Sequence, residues 1–353
     1  MTNTAIVFTP KYFGYNPGFD HPESPGRLKA IMKELNGSGL LRAGRCELVE
    51  PYPARVEDVQ LAHELGYIEL VKRYCRLGGG ILDLGDTIVC RESYDVALMA
   101  VGGALKAVDL VMGGRFQNAF ALVRPPGHHA GFDYAMGFCV FNNVAVATAY
   151  LLRRFGLNRI AILDADAHHG NGTQEIFYNT NKVLYASLHQ DPRVFPGTGF
   201  MEETGEGEGL GYTVNVPLPF RTNDRVYLQA FDEIIVPILQ QYRPQFILVS
   251  AGFDGHYTDP VASLSLSAFS YQRIFAVIMN LASWLCGGKI SAVLEGGYSL
   301  QALGKLATAA IAKMAELPYT FRDKRVEMKA KTQVKAEQIL KSVKRIQSSF
   351  WNL

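Results

Sequence analysis

Cysteine is scarce in this sequence, and the spacing of the cysteines matches neither a disulfide framework nor a metal-binding motif. The 353 residues include five cysteines, which are scattered, and no Cys-x-x-Cys pair occurs. This excludes a regular disulfide framework and a cysteine-ligated zinc site, and it is typical of thiols in a reducing compartment. No stretch of about 18 apolar residues occurs either, which excludes a membrane span. We therefore expect a cytoplasmic protein that does not cross a membrane.

A large excess of charge of one sign is also absent. The 35 basic and 33 acidic side chains leave a formal net charge of +2, and nine of the basic residues fall within 319–353 beside three acids. A mildly acidic body with a basic tail does not indicate a dedicated nucleic-acid binder. The segment 1–8 has neither a basic region nor a long apolar core, so we predict a first strand rather than a signal peptide.

What the sequence does contain is an alternation of short apolar runs and longer helical patterns. Continuous apolar runs predict strands buried on both faces of a parallel sheet, and the clearest are Ala119–Val123, Arg159–Leu163, Val183–Ser187, Phe246–Ser250 and Ser291–Leu294. Helical patterns cover 94–112, 140–155, 224–242, 268–286 and 299–316, and the region 193–221, rich in Gly and Pro, predicts a long loop followed by a short strand, Thr213–Val216. We predict an α/β fold, a single domain with a central, mostly parallel sheet flanked by helices on both faces and an active site at the carboxyl ends of the strands.

The basic tail is predicted to be a separate element. Residues 1–317 are assigned to one domain, and 318–353 to a basic helical extension packed on it. Apolar residues in the extension recur at a spacing that suits an amphipathic helix, namely Val334, Ile339, Val343, Ile346 and Phe350. A helix that lies on a membrane surface is the alternative for the same stretch.

Ionisable side chains follow each of the five apolar runs. They stand in Arg124–His129, Asp164–Gly170, Leu188–Asp191, Ala251–Asp254 and Glu295–Tyr298. In open α/β sheets, ligands bind outside the carboxyl ends of the strands, so five segments would deliver reactive groups to one edge. Scattered loop histidines are the alternative, which this repeated coincidence disfavours.

Three of these residues suit a catalytic metal site. Asp166 and His168 are two apart, so an extended stretch turns both side chains to one face, and Asp254 arrives from another strand. Two carboxylates and one imidazole leave a fourth position open, as catalytic zinc sites do, and neutralise a divalent ion. Asp164 faces away and suits a supporting role behind the metal. For Asp254 alone, a helix cap or turn is the alternative.

The adjacent imidazoles of His128 and His129 and the phenol of Tyr298 suit the remaining chemistry. Two histidines beside an activated water can move protons to and from it. A tyrosine that follows two glycines can donate a hydrogen bond to a developing oxyanion. Taken alone, the histidine pair is more often ordinary surface, and the tyrosine an exposed turn residue.

Together these motifs resemble those of the histone deacetylase superfamily, which has the arginase–deacetylase fold. The matching stretches are His21–Arg27, Arg124–Gly131, Gly137–Asn143, Asp164–Thr173, Phe195–Gly199, Ser250–Pro260 and Leu294–Tyr298, and several look like class II enzymes and their prokaryotic relatives. The resemblance implies that 1–317 is a deacetylase catalytic domain and that the protein is a zinc-dependent hydrolase, which removes acetyl or other acyl groups from lysine or a related amine.

The resemblance also implies roles for individual residues. The metal ligands would be Asp166, His168 and Asp254. The catalytic group would be His128, His129 and Tyr298, with Asp164 behind His128 and Asn171 behind His129. Substrate would be bound by Phe138 and Phe195, which wall a tunnel, with Gly137 beside them, by Asp86 at the rim and by Arg27 in an inner cavity.

Ions and partners follow from the same resemblance. We expect Zn²⁺ as the catalytic ion, with Fe²⁺ as an alternative, and K⁺ in a structural or regulatory role. One potassium site would lie near Asp164, Asp166, His168, Ser187 and Leu188, and a second near Phe177, Thr180, Val183 and Tyr212. The expected substrate is an acetylated protein or a small acetylated amine. Assembly into a homo-oligomer is left as an open alternative.

Other functions remain as alternatives. An acetylpolyamine deacetylase would use the same site, although Val261 stands after Asp259-Pro260 where the polyamine-selective branch has an acidic residue. An arginase-like binuclear manganese enzyme needs further carboxylates, and Gly170, two residues after His168, supplies none. A non-catalytic module that binds acyl-lysine or protein is the alternative of another class, but Tyr298 is retained where some inactive relatives carry His.

Overall fold

The structure is a computed structural model that describes residues 3–353, and an eight-stranded sheet forms its centre. Its strands are β1 Thr4–Val7, β2 Cys46–Val49, β5 Asn118–Ala121, β6 Ile160–Asp164, β7 Val183–Gln190, β8 Thr213–Leu218, β9 Phe246–Ala251 and β10 Ile290–Leu294, while β3 Gly79–Ile81 and β4 Ile88–Cys90 form a separate antiparallel hairpin. The sheet order is β2-β1-β5-β10-β9-β6-β7-β8, and every neighbouring pair is parallel. The predicted parallel sheet is therefore confirmed. Residues 1 and 2 of the predicted first strand lie outside the described part of the chain.

Helices cover both faces of the sheet, as predicted. They are α1 Gly26–Ser38, α2 Val56–Val59, α3 Leu65–Arg76, α4 Ser93–Met112, α5 Asn143–Phe155, α6 Asn171–Phe177, α7 Asp224–Ala230, α8 Val236–Tyr242, α9 Ala268–Cys286, α10 Leu300–Met314 and α11 Ala330–Gln347. Helices α4 and α5 pack against each other on one face, and α1, α9 and α10 form the layer on the other. A π-helical turn, Phe231–Ile235, joins α7 to α8 within the predicted helix 224–242.

Capping side chains set the helix boundaries. The Asn142 side chain accepts a hydrogen bond from Ala145 N at 3.0 Å, so α5 begins at Asn143 and not at residue 140 as predicted. Ser267 caps α9 in the same way, through a bond from Phe269 N at 3.3 Å. Both helices end where a glycine adopts a left-handed φ of 64°, a conformation that glycine reaches without strain.

The C-terminal extension contains α11, which covers an edge of the sheet. Strand β8 is the last in the order, and α11 packs on β8 and α7 with Ala336, Leu340 and Val343 buried. Gln347 Nε2 donates a hydrogen bond to Thr213 O at 3.2 Å. The predicted apolar face is partly wrong, since Val334 is 54% exposed. No helix within residues 3–353 is long and apolar enough to cross a membrane.

Candidate active site

The site lies at the carboxyl edge of the sheet, where the connections after neighbouring strands meet. Strands β5, β10, β9, β6 and β7 are adjacent in the sheet although they are distant in the sequence. Their connections carry the paired histidines, the candidate metal ligands, Phe195 and Tyr298. Because parallel strands end at the same edge, side chains from five parts of the chain converge there.

The three predicted metal ligands face one another. Suitable ligand atoms of Asp166, His168 and Asp254 all lie within 4.8 Å of one another, and the three residues are buried. His168 Nδ1 lies 2.8 Å from Asp254 Oδ2 and 3.4 Å from Asp166 Oδ1. Burial and the charge of Asp166 raise the pKa of Asp254 above its usual value, because the two carboxylates repel each other in a dry site. A divalent cation would remove that repulsion, and oxygen and imidazole donors suit zinc or ferrous iron.

Backbone amides orient these carboxylates at close range. Gly296 N donates to Asp166 Oδ2 at 2.8 Å, and Ala167 N donates to Asp254 Oδ1 at 2.8 Å. Gly252 also approaches Asp166 so closely that a Cβ atom on residue 252 would lie 2.5 Å from both the Cα and the Cγ of Asp166. Glycine is therefore required at 252 for steric reasons, and it fixes where the Asp166 carboxylate lies.

His128 is held by a buried carboxylate. Its Nδ1 lies 3.1 Å from Asp164 Oδ2, which also accepts a hydrogen bond from Tyr185 OH at 3.1 Å. Burial lowers the pKa of His128, but the charges of Asp164 and Asp166 together outweigh it and raise the pKa to about 10. His128 is thus the member of the histidine pair whose positive charge a carboxylate stabilises.

His129 has a neutral partner instead. Its Nδ1 lies 2.8 Å from Asn171 Oδ1, while Asn171 Nδ2 donates to His129 O and to Tyr134 OH, both at 3.2 Å. These bonds turn the amide oxygen towards the imidazole, so Nδ1 carries the proton and Nε2 is an acceptor. Burial, followed by the nearby His128 and His168, lowers the pKa of His129 well below its usual value. Sequence analysis did not find Tyr134, which belongs to no motif considered there.

Tyr298 lies on the loop that follows β10. Its N–H donates to Asp259 Oδ2 at 2.6 Å, and the guanidinium carbon of Arg27 lies 4.8 Å from its ring centroid. Burial is the main reason that the pKa of Tyr298 is raised well above 10, so the phenol keeps its proton at neutral pH. The side chain therefore serves as a hydrogen-bond donor.

Two phenylalanine rings stand over the site. The Phe195 ring centroid lies 4.9 Å from that of His129 and 5.8 Å from that of His168, and the Phe138 centroid lies 5.7 Å from that of Tyr298. Both rings are half-buried, unlike core side chains. Gly137 has a φ of 56°, and a Cβ there would lie 2.5 Å from His129 Cδ2, so the backbone reaches the imidazole at this point.

The rim of the site includes the predicted carboxylate Asp86. Its Oδ1 accepts a hydrogen bond from Gly137 N at 3.2 Å, and with Phe195 it lines a cavity of about 650 Å³. Burial and the neighbouring Asp83 raise the pKa of Asp86 to about 6. A carboxylate at this position can accept hydrogen bonds from groups that enter the cavity.

Arg27 lies behind the site in a buried ion cluster that sequence analysis did not predict. Its Nε donates to Gly297 O at 2.7 Å and one terminal nitrogen lies 3.1 Å from Glu23 Oε1, while Glu23 also pairs with Arg124 at 2.6 Å. Glu295 Oε2 accepts from Gly127 N at 2.7 Å. All of these residues stood in the matching motifs, but nothing in their spacing indicated that they pair.

The residues predicted to bind potassium lie around β6 and β7. Asp164 and Ser187 are partners across these two strands, and Leu188 follows Ser187. At the other end of β7, Thr180 N donates to Phe177 O, and Tyr185 N donates to Tyr212 O near Val183. The two groups are therefore at opposite ends of one strand, and their potassium role stays a prediction.

Comparisons with known proteins agree with the motifs. Residues 21–314 match the histone deacetylase domain. The chain is 42% identical to a "Probable deacetylase" of Archaeoglobus fulgidus over 99% of this chain and 98% of that protein. It is 39% identical to a "Histone deacetylase-like amidohydrolase" of Pseudomonas aeruginosa over 86% of this chain and 79% of that protein.

A solved structure is similar over nearly the whole chain. The HDA15 HD domain superposes with a TM-score of 0.88 at 35% identity, and the match covers 99% of this chain and 95% of that one. The fold, the site and the sequence matches define an amidohydrolase of the deacetylase type. The chain belongs to the histone deacetylase family, and the resemblance found in the motifs is confirmed.

Proposed function

We propose that this protein uses one divalent ion, zinc or ferrous iron, to hydrolyse the amide of acetyl-lysine side chains. The observation that carries the proposal is the convergence of Asp166, His168 and Asp254 with two histidines, one paired with a carboxylate and the other with an amide. An ion in this site would polarise the acyl carbonyl and lower the pKa of a water molecule.

The chain's own residues divide the proton transfers between them. His129 accepts the proton of the attacking water at Nε2, because its Nδ1 proton faces Asn171 Oδ1. Tyr298 donates its phenolic hydrogen bond to the oxyanion that develops on the carbonyl oxygen. The leaving amine then takes a proton from the imidazolium of His129 or from His128, whose positive charge is stabilised by Asp164.

The surroundings support a long, unbranched substrate. Phe138 and Phe195 offer two apolar faces to the four-carbon stem of lysine, and Asp86 lies at the rim, where a peptide backbone would pass. An acetylpolyamine is the second candidate on the same site, but Val261, exposed after Asp259-Pro260, offers a polyamine no charge. The five cysteines are all unpaired, which supports a reducing compartment such as the cytoplasm.

The test is a panel of acetylated peptides and acetylpolyamines, assayed with purified protein whose metal content is measured. We expect acetate release from acetyl-lysine peptides, a loss of about 10²–10³ in rate for Tyr298→Phe, and loss of bound metal for Asp254→Asn. Tyr319→Phe and Asp232→Asn make the same changes away from the site and should leave rate and metal content intact. Preference for acetylpolyamines, or two ions per chain, would contradict the proposal.

A further inference from the structure

The segment that precedes α11 packs on the start of α9 and contacts the loop that carries Asp254. Gln272 Nε2 donates to Phe321 O at 2.7 Å, and the guanidinium carbon of Arg325 lies 3.9 Å from the Phe269 ring centroid. Between these two contacts, Asp323 turns inward, and its side chain is only 9% exposed. This position lies beyond residue 314, where the match to the histone deacetylase domain ends.

Both oxygens of Asp323 have partners on other elements. Oδ2 lies 2.6 Å from His256 Nε2, and Oδ1 accepts a hydrogen bond from Ala268 N, the first residue of α9, at 3.0 Å. His256 is 2% exposed and stands two residues after the candidate ligand Asp254. The carboxylate therefore connects the extension, α9 and the Asp254 loop at one point.

From His256, a chain of hydrogen bonds runs through Thr258 to Ser299. His256 Nδ1 accepts from Thr258 N at 3.4 Å and lies 2.8 Å from Thr258 Oγ1, so the ring proton is on Nε2 and faces Asp323. Because the hydroxyl of Thr258 donates its proton to the imidazole, Thr258 Oγ1 accepts a hydrogen bond from Ser299 Oγ at 2.8 Å. Ser299 follows Tyr298 directly. Asp259, on the loop that carries Asp254, accepts hydrogen bonds from Tyr298 N and from Ser299 N, the latter at 3.1 Å.

We propose that Asp323 is a positioning residue of the active site, which acts through His256, Thr258 and Ser299 to hold the backbone of Tyr298. This inference rests on the proposed role of Tyr298 as the oxyanion donor. It makes the extension part of the catalytic apparatus and not only a cover for the sheet edge. Residues that support metal ligands typically change activity 10-fold to 100-fold when they are mutated, and we expect an effect of that order for Asp323.

The experiment compares Asp323→Ala with Glu327→Ala in the metal-loaded, full-length protein. Glu327 is an exposed acid of the same segment, so the pair separates the buried contact from a general effect of the extension. For Asp323→Ala we expect kcat on an acetyl-lysine peptide to fall about 10-fold or more with KM and bound metal unchanged. Glu327→Ala should match the wild type.

A double variant tests the route. If Asp323 acts through Tyr298, Asp323→Ala combined with Tyr298→Phe should lose no more activity than Tyr298→Phe alone, whereas losses that multiply would overturn the proposal. Hydrogen exchange gives a measurement that does not need turnover. The amides of Tyr298 and Ser299 should exchange faster in Asp323→Ala than in Glu327→Ala, and equal protection would overturn the inference even if the enzyme proved to have another substrate. Absence of deacetylation with faster exchange would refute the proposed function and leave the positioning contact standing.

Discussion

Replacing Gly252 by alanine should abolish the proposed metal binding without changing any of the three candidate ligands. The added Cβ would lie 2.5 Å from the Cα and the Cγ of Asp166, and real Cβ atoms essentially never approach within 3.0 Å. The Asp166 carboxylate must therefore retreat by about 1 Å to reach an ordinary separation of about 3.5 Å. Metal–ligand distances tolerate deviations of only about 0.2 Å, so this displacement would break the proposed coordination.

The assay is a zinc titration against a competing chelator, with thermal unfolding recorded for the metal-free protein. We expect the affinity of Gly252→Ala for zinc to fall at least 10-fold to 100-fold, and the overpacked site to cost about 1–3 kcal/mol of unfolding free energy. Gly37→Ala is the matched control, because nothing lies within 4 Å of its added methyl group in α1. It should be neutral or stabilise the fold by up to about 1 kcal/mol. An unchanged zinc affinity in Gly252→Ala would refute the reasoning.

Three further predictions concern residues around the site. Tyr134→Phe removes the hydroxyl that orients the Asn171 amide, so kcat should fall about 10-fold with KM retained in steady-state assays; an unchanged kcat would contradict this. Burial lowers the pKa of His63 to about 4, so the unfolded chain binds a proton first and stability falls as pH drops from about 6.5 towards 4. His63→Gln should remove about 2–3 kcal/mol of that pH dependence in denaturant unfolding of metal-free protein, and parallel pH profiles would refute it. Glu23→Gln leaves the buried guanidiniums of Arg27 and Arg124 without an anion and should cost about 3–5 kcal/mol, whereas Glu47→Gln, which breaks an exposed ion pair, should cost less than about 1 kcal/mol in the same measurement.

Continuous apolar runs were enough to predict the five adjacent central strands of the sheet, because strands buried on both faces need no alternation. They were also enough to place the polar residues that follow the strands at one edge. The region 9–93 shows the limit of this signal. Strand β2, helices α1, α2 and α3 and the hairpin β3-β4 lie outside the predicted elements. Strands β3 and β4 have only three residues each, and β3 begins within a run of three glycines at 78–80.

The convergence of Asp166, His168 and Asp254 could be predicted from their motif, whereas the contacts that support them could not. Tyr134 and Asn171 meet only because the loop after β5 folds back on α6, and Asp323 meets His256 only because the extension crosses the start of α9. Such pairs join residues 37 and 67 positions apart, and no local pattern encodes them. The face of α11 was mispredicted for a related reason: its packing on β8 selects Ala336 and Gln347 for burial over Val334.

The docking of α11 on β8 also has a consequence for shortened versions of this chain. An uncovered terminal strand presents a row of unpaired N–H and C=O groups that can recruit a strand from another molecule. Cutting the polypeptide before Ala330 would expose these groups, including the Thr213 carbonyl oxygen that now accepts a hydrogen bond from Gln347. A truncated protein would therefore tend to self-associate strand to strand, and its precipitation would report on an unprotected sheet edge rather than on a damaged interior.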